Sequence, residues 1–240
     1  MDRRVIYMIK DPITINRNMR IIKDKINVVL PVFIKDKKHI PMTLKCIELM
    51  KRTSVNYELV IVETESNYFN EYADIYLYEK IKENPNRSIN RAFNVCDGEF
   101  IVFIANDVFV CEDWLEYMLD CFSSKDDCGI ASLGISEHKD SIKNEIVESL
   151  CFSVCMMKNE DAWFDPEYKV VFDDTDLAFR LHIEGKKFYK NLNGYAVHNP
   201  HTTIGEFGGD INEFNRSREY FINKYIKYND NSLYQVFSGV

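Results

Sequence analysis

Four short stretches of this 240-residue chain carry side chains able to do chemistry. "IANDVFV" ends an apolar run in Asn106 and Asp107. A carboxylate at a strand end can hold a hard divalent cation, which takes oxygen ligands. The same Asn-Asp pair also favours an ordinary turn. "FDDTDLAFRL" places Asp173, Asp174 and Asp176 before an amphipathic run. Asp173 as N-cap with Asp176 at N3 resembles a capping box, and acidic groups suit the positive end of a helix. That arrangement uses two aspartates and leaves Asp174 free to act as a general base toward a bound hydroxyl. "AVHNPHT" supplies His198 and His201. Imidazole suits manganese as well as softer ions, although a lone histidine after a strand is commonly structural. "NPNRSINRAFN" sets Arg87 and Arg91 near a helix start, where a guanidinium meets phosphate or a base, or simply solvent.

These groups need elements to position them. "INVVLPVF" (26–33), "ELVIVE" (58–63) and "EFIVFIA" (99–105) are continuous apolar runs, the pattern of strands buried on both faces. "DIYLY" (74–78) and "RVIYMI" (4–9) are shorter strand candidates, with polar loop expected over 11–25. Ile40, Leu44, Ile47 and Met50 recur at helical spacing, as do Ile89, Ala92, Phe93 and Cys96 behind a possible cap at Ser88. Trp114 to Phe122 gives another helix. Strand and helix alternate from about 26 to 122, which predicts an α/β fold with a mostly parallel sheet flanked by helices. Ligands of such sheets bind outside the C-terminal strand ends. The segments that matter are therefore Pro31 to Lys35, Glu63 to Ser66, and Asn106 with Asp107. Beyond 125 the alternation weakens. "GIASL" and "LCFSVCMM" read as strands, 172–184 as a helix ended by Gly185, "KFYK" and "YAVH" as two short strands, and 213–228 as a C-terminal helix.

Composition sets bounds. Hydrophobic residues at 46% and charged residues at 28% are ordinary for a packed globular protein, and no long disordered segment is expected. The net charge of −8 argues against a general polyanion-binding surface. Seven cysteines lack metal-type spacing and read as reduced, buried thiols, with a cytoplasmic location expected. "MDRRVIYMIKDP" is interrupted too early for a signal peptide, and no run reaches the roughly 20 apolar residues of a membrane span.

The order of these pieces resembles the GT-A glycosyltransferases, in particular family 2. "INVVLPVF", "ELVIVETES", "RAFNVCDGEFIVFIANDVFVCEDWLEYML" and "FDPEYKVVFDDTDLAFRLHIEGKKFYKNLNGYAVHN" carry the likeness over roughly 26–199. The resemblance implies a GT-A fold: a Rossmann-like nucleotide-binding sheet with a smaller acceptor-side region. It also implies transfer of a sugar from a nucleotide-sugar donor, a UDP-sugar foremost, to an acceptor hydroxyl on a glycan, a protein or a modified nucleotide. Asp107 matches the last acid of the Asp-x-Asp motif and would bind a divalent metal, manganese or magnesium, completed by His198. Asn106 would lie near the donor ribose and Pro31 and Arg87 along the donor. Glu63 matches the acid that reads the nucleoside. Asp174 matches the second acid of the acidic pair, the base of an inverting displacement. Arg216 and Arg218 would close over the diphosphate.

The chain departs from the pattern in places. Ala105 stands where the first acid of Asp-x-Asp would be, Glu63-Thr64-Glu65 replaces the usual Asp-Asp, and Asp173 replaces the common Glu. A non-catalytic GT-A-like module that binds nucleotide or glycan is the alternative. A metal-dependent nucleotidyltransferase is a weaker third, since no glycine-rich phosphate loop is present. One catalytic domain is expected over 1–240, with an N-terminal extension (1–25), a nucleotide-sugar-binding half (26–122), an acceptor or catalytic half (123–205) and a helical tail (206–240).

Overall fold

Apolar side chains on successive residues of a strand point to opposite faces, so a continuous run needs cover on both sides. The computed structural model, described over residues 6–7, 20–135, 145–148, 153–169, 171–199 and 211–238, supplies that cover. Its elements are β1 (Ile6–Tyr7), β2 (Ile22–Phe33), α1 (Ile40–Met50), β3 (Glu58–Thr64), β4 (Ile75–Glu79), α2 (Pro85–Asn94), β5 (Gly98–Ile104), β6 (Val108–Val110) and α3 (Trp114–Ser124). There follow β7 (Cys128–Ile135), β8 (Ile146–Glu148), β9 (Val154–Lys158), α4 (Asp173–Ile183), β10 (Lys187–His198), α5 (Ile211–Tyr225) and α6 (Ser232–Ser238).

One sheet collects the strands in the order β1-β4-β3-β2-β5-β9-β7-β10-β6, with β8 on β10. β1, β4, β3, β2 and β5 run parallel, and β7 is parallel to β10. β9 is antiparallel to both of its neighbours, and β6 and β8 are antiparallel to β10. On β2, Val28, Leu30 and Val32 join the core beneath α1 and α3, while Val29 joins the core beneath α2 and α4. β3 divides in the same way, Leu59 and Ile61 against Val60 and Val62. A third cluster is aromatic: Phe179 of α4 meets Phe221 and Tyr225 of α5 and Tyr234 of α6. Each fully buried side chain of this size contributes about 1.5–3 kcal/mol.

Several local expectations change. β2 begins at Ile22, inside the stretch read as loop, because Ile22 and Ile26 both pair with β5 across a register shift. α2 starts earlier than Ser88: Asn84 caps it by accepting from Asn86 N at 2.8 Å, with Pro85 in the first turn, and the Ser88 hydroxyl instead donates to Glu79. "KFYK" and "YAVH" form one strand, β10, in which the pairing with β7 shifts between Asn191 and Tyr195. The tail holds α6 as well as α5. α4 does end at Gly185, whose φ of +85° and N–H bond to His182 O, with Lys186 N on Leu181 O, make a Schellman stop. At its other end the N-cap position belongs to Phe172, at φ 73°, rather than to Asp173, and no side chain caps the helix. One of the seven cysteines, Cys151, together with His201 and all of "RVIYMI" except Ile6 and Tyr7, lies outside the described residues. Among those described, no helix is long and apolar enough to cross a membrane.

Candidate active site

The parallel strands bring their C-terminal ends to one edge of the sheet, and the helices that follow them start there. Phe33, Thr64 and Glu79 stand in register across β2, β3 and β4 at that edge. β5 reaches it at Ile104 and turns through Asn106-Asp107, with Val108 N bonded to Ala105 O. The pair forms a turn, as the turn reading expects, and that turn sets a carboxylate at a strand end. α2 begins at the same edge, just past β4. Its three asparagines bind the segment that leads into α4. Asn84 donates to Pro166 O and Tyr168 O, Asn86 to Asp165 O and Tyr168 O, and Asn90 both donates to and accepts from Phe164. Asn86 also contacts Asp173. The first turn of α4 thus lies against the first turn of α2.

Asp107 is 6% exposed, and its Oδ1 lies 3.4 Å from Nε2 of His198. His198 ends β10, in register with Val108, and the Asn199 N–H bonds to Asp107 O. β10 therefore delivers the imidazole to the β5–β6 turn. The Asp107 carboxylate raises the His198 pKa, against a smaller opposing effect of burial. Nδ1 of the ring approaches Ser153 Oγ at 3.5 Å. Asn106 donates to Thr43 Oγ1 of α1 at 3.1 Å. A carboxylate oxygen beside an imidazole nitrogen is a donor set that fits manganese. No group of three His, Cys, Asp or Glu side chains able to hold a metal occurs among the described residues. Asp107 and His198 would thus hold a metal only together with oxygens from a ligand such as a diphosphate.

The three aspartates of α4 have different surroundings. Asp176, 1% exposed, is bound by Lys224 of α5 at 2.6 Å and by Tyr168 OH at 3.1 Å. Lys224 also meets Asp165 at 2.6 Å, so one lysine ties the tail to the approach to α4. Asp173 is half-buried; burial, then the neighbouring Asp174 charge, pushes its pKa up to about 7. Asp174 is half-buried too, accepts from Thr175 (N–H at 2.7 Å, hydroxyl at 3.3 Å) and from its own backbone N–H, and is also raised by burial. A carboxylate displaced toward neutrality suits a general base.

The remaining expected residues divide in two. Glu63 is fully buried and takes four hydrogen bonds, from Ser66 Oγ, Tyr68 N, Phe69 N and Tyr76 OH at 2.6–3.0 Å. Its carboxylate shapes the loop after β3. Pro31 pairs with Val62 inside the sheet, two residues from the end of β2. Arg91 is bound by Glu79 and Glu83, both at 2.7 Å. Arg87, on the same helix, is half-buried and its side chain has no partner among the described residues. In the tail, Arg216 pairs with Glu213 and Arg218 donates to Ser238 O, so both are engaged within α5 and α6. Sequence reading missed the asparagines of α2, Asp165 and Lys224. The Asn84, Asn86, Asn90 spacing was visible, but nothing in it names the distant carbonyls.

Comparison with known proteins places this geometry. No curated protein matches the chain. Among solved structures, TarS of S. aureus is similar at 13% identity, with a TM-score of 0.56 over 83% of this chain and 40% of that one. A shorter form, TarS 1-349, aligns at 12% identity and 0.56, over 83% and 66%. Mannosyltransferase PcManGT from Pyrobaculum calidifontis, solved in complex with GDP-Man and Mn2+, aligns at 12% identity and 0.56, over 76% and 59%. The chain thus spans 40–66% of these structures, and identities this low establish the shared GT-A fold alone. The family model of glycosyl transferase family 2 matches residues 27–181, from the second strand through the acidic helix, and on that match the chain belongs to glycosyl transferase family 2.

Proposed function

We propose that the protein is an inverting, divalent-metal-dependent glycosyltransferase of the hexosyl type, with Asp174 as its general base. The observation that supports this reading is a family 2 domain in which Asp107 meets His198 just past β5, at the C-terminal edge of the parallel strands, while Asp174, opening α4, accepts only local hydrogen bonds among the described residues. A nucleotide sugar would lie along that edge, past Pro31 and the loop that Glu63 holds, with Asn106 near the ribose and Arg87 offering an unpaired cation to the diphosphate. Arg216 and Arg218 would serve the diphosphate only by leaving their partners in the tail. Manganese or magnesium, held by Asp107 and His198, would neutralise charge gathering on the leaving diphosphate. Asp174 takes the acceptor hydroxyl proton as that oxygen bonds to the anomeric carbon. The bond from that carbon to the diphosphate breaks on the opposite face, its electron pair leaving with the nucleoside diphosphate.

A UDP-sugar is the first donor to test, with a glycan, a protein side chain or a modified nucleotide as acceptor. Six buried thiols among the described residues, with Cys46 and Cys121 pushed up to about 12 chiefly by burial, support a reducing, cytoplasmic setting. The competing reading, a binding module without turnover, draws on Ala105, which removes one metal-binding acid. A thermal-shift screen of nucleotide sugars with manganese identifies the donor, because a ligand of the folded state raises its apparent stability. Hydrolysis or transfer that rises with manganese and is lost in Asp107→Ala supports the enzyme. Binding without any turnover selects the module.

A further inference from the structure

β9 and β10 reach the turn between β5 and β6 from two directions. β9 runs antiparallel to β5, with Val154 opposite Ile104, and one step further the Ala105 N–H bonds to Ser153 O at 3.0 Å. β10 arrives beside β6, with His198 opposite Val108. The imidazole therefore stands between two side chains. Asp107 Oδ1 is 3.4 Å from Nε2, and Ser153 Oγ is 3.5 Å from Nδ1. Among the described residues no other side chain hydrogen-bonds to Nδ1. A neutral imidazole has one N–H and one lone pair. A metal takes the lone pair, so the hydrogen sits on the other nitrogen and needs an acceptor there. Nε2 is the nitrogen beside the carboxylate, and the hydrogen then falls to Nδ1, which faces Ser153.

We propose that Ser153 is a positioning residue of this pair: its hydroxyl holds the His198 ring through Nδ1, so that Nε2 and Asp107 Oδ1 face one divalent cation. A hydroxyl suits the place better than a carbonyl or an N–H, because it both donates and accepts. It donates to a bare Nδ1 while Nε2–H points at Asp107, and it accepts from Nδ1–H once Nε2 offers its lone pair. The ring keeps its second hydrogen bond in either form. The backbone bond to Ala105 fixes Ser153 against the turn that carries Asp107, so one residue sets the ring relative to the carboxylate. Ala105 also makes the support matter. With no acid at 105, Asp107 and His198 are the protein's share of the donor set, and a ring turned away removes one of two ligands. The inference rests on the metal site of the reading above and deepens it.

Ser153→Ala removes the hydroxyl and keeps the backbone bond to Ala105. Manganese binding to the full chain, followed by electron paramagnetic resonance with UDP or, separately, GDP present, should weaken by about tenfold or more in that variant. Ser153→Thr, which keeps a hydroxyl, should recover most of the loss. Nitrogen NMR of the metal-free chain with labelled histidine reads the contact itself. The ring resonances that vanish in His198→Ala should move in Ser153→Ala and return toward their native positions in Ser153→Thr. Native manganese affinity in Ser153→Ala, alongside losses in Asp107→Ala and His198→Ala, overturns the role of Ser153 and leaves the metal site standing. Weakened binding with unmoved ring resonances makes Ser153 a ligand rather than a support, and overturns the proposal as well. So does a loss that Ser153→Thr fails to recover, which assigns the effect to packing. A native chain that binds no manganese, or binding that Asp107→Ala and His198→Ala leave intact, removes the metal site itself and this inference with it.

Discussion

Glu63, near the end of β3, and Asp174, in the first turn of α4, are both carboxylates, and their surroundings are opposite. Glu63 is enclosed by four donors from the loop it organises. Among the described residues Asp174 accepts only from its own backbone and from the next residue, and it keeps part of its surface open. The contrast teaches that residue type and position along an element do not tell how far an acid is committed to the fold; the number of donors bound to it does. Glu79 belongs with Glu63, bound by Thr64, Ser88 and Arg91. Asp107 stands between the two kinds, buried yet facing an imidazole.

Five substitutions bear on that contrast. The largest effect belongs to Asp174→Asn, which should lower kcat by about 10³-fold or more while the donor Kd stays within about twofold. A loss of donor binding like that of Asp107→Ala would move Asp174 out of the base role. Next is Lys224→Met, which leaves Asp165 and Asp176 buried without their cation and should cost about 3–5 kcal/mol in urea unfolding. A cost below about 1 kcal/mol would mean that the hydroxyls of Tyr168, on Asp176, and of Tyr220, which donates to Asp165 at 3.1 Å, suffice to hold these acids. Glu63→Gln presents an amide N–H to groups that already donate and should cost about 2 kcal/mol, with donor affinity weakened through the loop after β3. Unchanged stability with lost donor affinity would instead make Glu63 a direct reader of the base. Smallest is Arg87→Ala, expected to weaken nucleoside diphosphate binding about tenfold with an unaltered unfolding midpoint, whereas Arg91→Ala should lower the midpoint. The reverse outcome would exchange their roles.

Much of this was legible in the chain. The continuous apolar runs at 26–33, 58–63 and 99–105 became buried strands because each divides its side chains between two cores. Asn106-Asp107 fell at a strand end because β5 runs out of apolar residues there. The capping reading of Asp173 failed for a backbone reason: Phe172 takes the N-cap position in a left-handed conformation that no pattern of side-chain polarity announces. The single long β10 was misread as two strands because its pairing with β7 slips between Asn191 and Tyr195. At that point Gly194 runs so close to the Tyr117 ring that an added Cβ would lie 2.6 Å from it. The commitment of Glu63, and the freedom of Arg87 beside the bound Arg91, depend on partners distant in sequence and could only be seen folded.

Phe172 carries one more consequence. A positive φ on a bulky residue costs about 1–3 kcal/mol and persists only where the surroundings hold it. Here the restraint comes from α5: the Phe172 ring lies 5.4 Å from Phe214 and 5.8 Å from Phe221. The elbow that aims the acidic pair is thus kept bent by a helix that follows it by some forty residues. A chain stopped before α5 would retain all of the acids discussed above and lose the brace that sets their direction.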